Sequence, residues 1–375
     1  MGLDLGCNHG GEGARMASLD ELRQRIDALD DDIVRLLNHR AEAAVEIGRL
    51  KNASGSAVFS PDREKAILDR ICQRSAGPLS KASLLAIYRE LMSASFALER
   101  PPRVGYLGPR GSYSHEAAVS KFGASVEYEP LVHIGGVFEA MDRGHIDYGV
   151  VPVENNTTGG VVLDTLDAFA DTGVMICNEL LLPIHLNLMA NCPMDEIEVV
   201  QSKPEAFKQV QRWLAETGLV EKVAPAASTS RAAELAASTR GTAAIGSTLA
   251  AKLYGLKILA ANIEDNPRNA TRFFVLGRES AKPTGADRTS LMFVTAHRAG
   301  ALVEALLAVQ KNGVNLSMIT SRPSAASTGE YNFFVDLDGH AEDEPVRATI
   351  DEMRRHCNTV RVLGSYPKPT EAVAA

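Results

Sequence analysis

The 375-residue sequence contains no Cys-x-x-Cys pair, no run of eighteen apolar residues and no excess of basic charge. Its five cysteines (Cys7, Cys72, Cys177, Cys192, Cys357) are scattered and odd in number. That excludes a disulfide framework or a zinc site and suits reduced thiols in a cytoplasm. Cys7 and His9 stand close together, but two ligands fall short of a metal site. Without a long apolar run there is no transmembrane helix, so no membrane partner is expected. The net charge of -8 excludes a general nucleic-acid surface, which needs a basic footprint. The opening Met1–Ala17 is Gly-rich and lacks the apolar centre of a signal peptide. It reads as an extension, with Met16 an equally good start before the first helix. There is no internal repeat and no low-complexity tract. What is present, 45% apolar and 23% charged residues, describes a soluble globular chain of two or three domains.

Residues 18–100 read as all-helical. Ser18-Leu-Asp-Glu21 has the form of a capping box. Leu19, Leu22, Ile26, Leu29, Ile33 and Leu36 then recur at spacings of three and four. No Pro or Gly interrupts before Gly48, so one helix should reach about Lys51. At 1.5 Å per residue it would be roughly 50 Å long, more than two short partner helices can cover, which suggests an intertwined homodimer. Ser60-Pro61 reads as N-cap and first position of a second helix, and a third should span about Ser80 to Leu98. The stripe of the first helix continues through Arg40, Ala44, Ile47 and Lys51, with Arg23 at its edge. On the second helix Arg63 aligns with Ile67 and Ile71; on the third, Ser95 and Glu99 extend the stripe. Any one of these polar groups can snorkel or pair structurally. Several on the inner faces of one bundle, where unpaired charge is costly, describe a cationic cavity for a small dicarboxylate.

Leu22-Arg23, Asp27-Ala-Leu-Asp30, His39-Arg40, Ile47-Gly48, Lys51, Asp62-Arg-Glu64 and Glu90-Leu-Met-Ser-Ala-Ser95 resemble the all-helical chorismate mutases, across essentially the whole segment. The resemblance implies that Arg23, Arg40 and Arg63 hold the two carboxylates of chorismate. It puts Lys51 and Glu99 at the ether oxygen, and Glu64 and Ser95 at the ring hydroxyl and side chain. Such a pericyclic rearrangement needs a compact conformer and stabilisation of developing charge, not an acid, base or nucleophile. Some relatives carry an acidic residue where this chain has Ser60.

Glu99-Arg-Pro-Pro102 breaks the third helix. Beyond it, β-type runs (Val104–Leu107, Tyr148–Val153, Ala243–Gly246, Phe273–Leu276) alternate with helix-like stretches, the pattern of an α/β unit with a largely parallel sheet. Tyr106-Leu-Gly-Pro-Arg-Gly-Ser-Tyr-Ser114 runs from a strand through a Gly-rich turn into a helix. Val151-Pro-Val-Glu-Asn-Asn-Thr-Thr-Gly-Gly160 ends a strand in a polar loop, where open α/β sheets place ligands. Asn269-Ala-Thr-Arg-Phe273 sets a hydroxyl and a guanidinium before a β-type run. Each motif alone is also compatible with an ordinary turn. Together, over residues 103–279 and with Ser228-Thr-Ser230, Ala244-Ile-Gly-Ser247 and Leu253-Tyr-Gly-Leu256, they resemble the prephenate dehydratases. That resemblance implies two α/β lobes around a cleft, with Thr271 donating a proton to the departing ring hydroxyl and Arg272 anchoring a carboxylate. Ser112, Asn155, Thr157, Ser202 and Gln209 would line the pocket, and neither metal nor other cofactor is implied. Where relatives commonly have Ser-His-Pro-Gln, this chain has Ser202-Lys-Pro-Glu205.

After the linker Ser280-Ala-Lys-Pro-Thr-Gly-Ala286, residues 288–366 follow a βαββαβ order, an α+β ferredoxin-like pattern. Gly300-Ala-Leu-Val303 and Asn315-Leu-Ser-Met-Ile-Thr-Ser-Arg-Pro323 resemble ACT regulatory domains, although apolar residues there also suit ordinary packing. The resemblance implies L-phenylalanine as an effector bound between two such units. Gly300, Ala301, Leu302, Asn315, Ser321 and Arg322 would form its site, and Thr320 replaces the family's usual glutamate. The fold expected is thus multidomain: an all-α three-helix unit, a two-lobed α/β unit and an α+β unit. The expected substrates are chorismate and prephenate, the latter converted to phenylpyruvate. A solute-binding protein shares the two-lobed cleft, and a dehydratase of prephenate or arogenate with a vestigial mutase is the enzymatic alternative.

Overall fold

The computed structural model describes residues 18–55, 57–157, 160–323 and 330–369; the Cys7/His9 pair and the Met1–Ala17 extension lie outside them. Among the described residues no helix is long and apolar enough to cross a membrane.

The chain opens with α1 (Leu19–Ser54), α2 (Pro61–Arg74) and α3 (Lys81–Glu99). The Ser18–Glu21 capping box forms reciprocally, and Gly55 in the left-handed region ends α1. Ser60 does precede α2, with Pro61 in its first turn, but its hydroxyl makes no cap bond. Its hydroxyl donates to Asp62 Oδ1 at 2.8 Å, a charge-assisted bond that turns the oxygen toward that carboxylate instead of the amides it would accept from. The helices α1 and α3 approach closely at Gly48, where a Cβ would lie 2.7 Å from the Glu99 Cα.

A first lobe follows, from β1 (Arg103–Leu107), α4 (Tyr113–Phe122), β2 (Glu127–Leu131), α5 (Ile134–Asp142), β3 (Tyr148–Asn155), β4 (Gly160–Val161), α6 (Leu163–Asp167) and β5 (Met175–Pro183). The chain then crosses to a second lobe. This contains β6 (Asn187–Ala190), β7 (Val199–Ser202), α7 (Pro204–Phe207), α8 (Gln211–Glu216), β8 (Val223–Pro225), α9 (Thr229–Ser238), β9 (Thr242–Gly246), α10 (Thr248–Tyr254) and β10 (Lys257–Ala260). It returns as β11 (Ala270–Gly277), inserted between β3 and β5 in the order β2-β1-β3-β11-β5, with β4 paired to β3. The second sheet runs β10-β6-β9-β7-β8.

The expectation of a largely parallel sheet needs correction. β1 pairs in parallel with β2 and β3, but β11 is antiparallel to both its neighbours, and β6 is antiparallel to β9 and β10. A chain that leaves a lobe and returns to fill a gap in its sheet is not bound by the crossover rule that keeps βαβ units parallel.

The third sheet is built from β12 (Asp287–Thr295), α11 (Ala301–Lys311), β13 (Leu316–Pro323), β14 (Tyr331–Asp338), α12 (Glu344–His356) and β15 (Cys357–Pro367), in the order β13-β14-β12-β15. It is not an appendage. Phe274 and Leu276 of β11 share one apolar cluster with Met292, Phe334, Leu363 and Tyr366. Likewise Phe59 joins the core of the first lobe, and its amide donates to Tyr148 OH at 3.0 Å.

Overpacking a tight contact costs about 1–3 kcal/mol. Gly48→Ala should therefore lower the urea midpoint of helix unfolding followed by circular dichroism. Gly77→Ala, where a Cβ meets nothing within 4 Å, should leave the midpoint in place.

Candidate functional site

Two polar centres stand out. The first is a cavity of about 940 Å³ within the helical unit, lined by Arg40, Lys51, Ser60, Arg63, Glu64, Ser95 and Glu99 among others. Arg40 and Lys51 are eleven residues apart, three turns of α1, so both point to the same face. Arg40 Nη1 donates to Ser95 Oγ at 2.5 Å and to the Leu91 carbonyl at 3.2 Å. Lys51 Nζ meets Glu99 Oε2 at 2.9 Å and the Val58 carbonyl at 2.7 Å. Glu64 is buried and ion-paired with Lys121 of α4, so one wall of the cavity is tied to the first lobe.

Arg70 and Arg74 line the same cavity and were not singled out from the sequence. Their spacing from Arg63, seven and eleven residues, is the helical signal that could have found them.

Arg23 lies apart from this cavity in the single chain. It is exposed and pairs with Asp20 at 3.5 Å. Seventeen residues of straight helix carry it roughly 25 Å from Arg40, so one chain cannot bring the two together. The apolar residues around it, Leu19, Leu22, Ile26, Leu29, Ile33 and Leu36, are exposed as well.

The second centre lies where the lobes meet. Asn155 Nδ2 donates to Thr271 Oγ1 at 2.9 Å and to Asn269 Oδ1 at 3.0 Å, and Asn269 donates to Gln209 Oε1 at 2.6 Å. The Thr157 amide donates to Asn155 Oδ1 at 3.0 Å. Asn155, Thr157, Gln209 and Thr271 are thus brought together, with Asn269, the first residue of the Asn269–Phe273 motif, as the joining residue for which the motif alone implies no role. Because Thr271 Oγ1 accepts from an amide, its own proton can be donated elsewhere.

Two further expectations fail here. Ser202 is fully buried in the second lobe and donates to the Ile245 carbonyl at 2.7 Å, because its side chain falls on the inward face of β7. Arg272 points away from Thr271, since successive residues of a strand face opposite sides of a sheet. Its Nε meets Glu179 Oε2 at 2.5 Å, Nη1 meets Asp336 Oδ2 at 2.6 Å, and Nη2 donates to Tyr366 OH at 3.1 Å. Burial works against its charge, but Tyr366, Asp336 and Glu179 outweigh that and raise the guanidinium pKa overall. Ser112 caps α4 and donates to the Leu107 carbonyl at 3.0 Å, shaping the Gly-rich turn. That turn docks on the second lobe: Ser230 and Ser247 donate to the Arg110 and Gly111 carbonyls.

In the third sheet, Gly300, Ala301 and Leu302 line a cavity of about 230 Å³ with Tyr331 and Phe333. Asn315 is elsewhere. It sits level with the start of β12, roughly 20 Å along the strands from Gly300, and donates to Asp338 Oδ2 at 2.9 Å. Ser321 is exposed, and Arg322 makes a two-pronged ion pair with Asp167 of α6, at 2.9 and 2.7 Å. One chain therefore does not gather these six residues, because β13 separates Asn315 from Ser321 and Arg322 by most of its length.

A family model described as prephenate dehydratase matches residues 104–281, and one described as chorismate mutase type II matches residues 22–100. The bifunctional chorismate mutase/prephenate dehydratase of Aquifex aeolicus (strain VF5) is 41% identical over 358 residues, covering 94% of this chain and 99% of its own. The prephenate dehydratase from Arthrobacter aurescens, solved in complex with L-Phe, superposes with a TM-score of 0.66 at 33% identity, over 72% of this chain and 93% of that one. A structure described as GqqA, a novel type of quorum quenching acylase, has the same TM-score at 26% identity, over 72% of this chain and 98% of that one.

Beside the crossing between the lobes, burial raises the Glu116 carboxyl to about 7, with His185 opposing the shift. The Tyr113 hydroxyl donates to the His185 carbonyl at 2.8 Å, and the His185 ring meets Glu264 at 2.8 Å. Between pH 4.5 and 7 the unfolded chain releases this proton while the folded one keeps it, so Glu116 makes stability fall as pH rises through that window. Glu116→Gln should match the original protein in urea unfolding near pH 4.5 and exceed it by up to roughly 3 kcal/mol at pH 8. An equal difference at both pH values would contradict this.

Proposed function

The chain belongs to the bifunctional chorismate mutase/prephenate dehydratases, and from that premise we propose where and how its two reactions run. The observation that carries the reading is the presence, in one chain, of a cationic cavity around Arg40 and Lys51 and a separate hydroxyl-amide centre around Thr271. The three domains proposed are residues 18–100, 103–279 and 288–366.

In the helical cavity, Arg40 and Arg63 grip the carboxylates of chorismate, and Lys51 with Glu99 faces the ether oxygen. Ser95 holds Arg40 ready, and Glu64 faces the ring hydroxyl from the wall anchored by Lys121. Prealigned cations favour the compact conformer and stabilise the charge that develops as the carbon–oxygen bond breaks. Arg23 is supplied by a second copy in a homodimer, whose helix covers the exposed stripe from Leu19 to Leu36. The retained cations, Arg70 and Arg74 included, support an active mutase over a vestigial one.

Prephenate then meets Thr271, whose proton goes to the leaving ring hydroxyl as carbon dioxide departs and the ring becomes aromatic. Asn155 fixes the threonine oxygen, Asn269 fixes Asn155, and Gln209 fixes Asn269. A threonine hydroxyl is a weak acid, and such a network is what lets it deliver a proton in one direction. The C-terminal sheet is an ACT regulatory domain that binds L-phenylalanine, supported by the L-Phe complex of the Arthrobacter aurescens relative. Gly300, Ala301 and Leu302 of one copy and Asn315 of another form that site, the arrangement that suits their separation within one chain. The enzyme works in the cytoplasm.

Arg40→Ala should lower mutase kcat/KM by about 100- to 1,000-fold and leave dehydration of supplied prephenate within about twofold. Thr271→Ala should lower dehydration by at least about 100-fold and spare the mutase. Loss of both activities from either folded variant would refute separate centres.

A further inference from the structure

Arg272 is the hub of a buried network that spans two sheets. Besides its bonds to Glu179, Asp336 and Tyr366, the second Asp336 oxygen accepts from Ser290 Oγ at 2.5 Å, and Ser290 also meets Tyr366 OH at 2.6 Å. Arg288 of β12 reaches both oxygens of Glu179, at 2.6 and 2.8 Å. Two guanidinium groups face two carboxylates, so the network is neutral as a whole. The Glu179 and Asp336 side chains are 0% exposed. No reacting group of either centre belongs to it.

Its position gives it a mechanical consequence. Glu179 and Arg272 belong to the first lobe, while Ser290, Asp336 and Tyr366 belong to the C-terminal sheet. Arg272 is covalently next to Thr271, and the Arg272 guanidinium also lies over the Phe274 ring at 4.9 Å. The backbones touch as well: a Cβ on Gly364 of β15 would fall 2.0 Å from the Ile176 carbonyl oxygen of β5. Leu182 of that same strand pairs with Thr271. Any shift of β12, β14 or β15 relative to the lobe must therefore stretch these bonds or move β11. The Asn155–Thr271 hydrogen bond depends on the backbone position of β11.

We propose that Asp336, assisted by Tyr366, is a positioning residue for Thr271, coupling the C-terminal sheet to the dehydration centre through Arg272. The proposal rests on the reading that Thr271 serves dehydration and that the C-terminal domain binds L-phenylalanine. Coupling of this kind is reciprocal: product at the cleft must change the affinity for the effector by the same factor as the reverse.

The test uses full-length enzyme and titration calorimetry. L-phenylalanine affinity is measured with and without saturating phenylpyruvate, for the original protein and for Asp336→Asn. The original should show a ratio within the usual coupling range of about 5- to 150-fold. In Asp336→Asn the ratio should fall below about twofold, with affinity in the absence of phenylpyruvate changed by less than about threefold. Mutase turnover in the same sample reports that the variant is folded. If Asp336→Asn does not fold, Tyr366→Phe removes one hydroxyl and should at least halve the ratio. A variant that keeps the original ratio overturns the proposal alone. An original protein that binds no L-phenylalanine, or whose ratio is one, overturns the underlying reading and the proposal with it.

Discussion

A guanidinium inside a protein has to be matched by carboxylates that are also inside, because an unpaired buried charge costs several kcal/mol. Arg272 takes its matches from two different units, Glu179 of β5 and Asp336 of β14. That requirement explains why the C-terminal sheet lies directly on the first lobe rather than hanging from the 280–286 linker. Removing the sheet would strip Arg272 of Asp336 and Tyr366 and uncover Phe274 and Leu276. Docking of the two units is therefore part of the folding of β11, and β11 carries Thr271.

The same logic recurs at the other end of the chain. Glu64 lines the helical cavity but finds its cation, Lys121, on the first lobe. Lys121 in turn lies over the Phe59 ring, and Phe59 is packed against Phe122 and Tyr148. Ser93 of α3 accepts from the Ser125 amide at 2.9 Å, and a Cβ on Gly123 would lie 2.6 Å from the Ser93 Cβ. The three units are joined by buried ion pairs and tight backbone approaches, not only by the connecting chain. The helical cavity and the Thr271 centre thus share one packed frame.

Which features were legible in the sequence follows from the range of the interactions behind them. The stripe on α1, the Ser18 capping box and the βαββαβ order are set by neighbours within a few residues, and periodicity reveals them. Mixed strand direction is set by where β11 inserts after a long excursion, and no local pattern encodes that. The misplacement of Arg272 had a local cure. Thr271 and Arg272 are adjacent in a strand, so alternation alone forbids both from facing one cleft. Asn269, two residues before Thr271, has the spacing to join it, and the structure places it against Asn155 and Gln209. Ser202 offered no such clue, since a serine on either face of β7 reads the same in sequence.

What one chain leaves unfinished is as informative as what it completes. The first five turns of α1 expose a continuous apolar stripe, with Arg23 beside it and remote from Arg40. In the C-terminal sheet, Gly300 and Asn315 lie at opposite ends of the strands, each with polar or apolar neighbours of its own. Both incompletions have the same form: residues that resemble one site are separated along a rigid element by more than any side chain can span. A helix cannot fold back over 25 Å, nor can a strand bend over 20 Å, without losing its backbone hydrogen bonds. In the proposed homodimer a second copy closes both gaps without that loss. The length of α1 and the order of the third sheet are thus constraints on assembly as much as on the fold of the single chain.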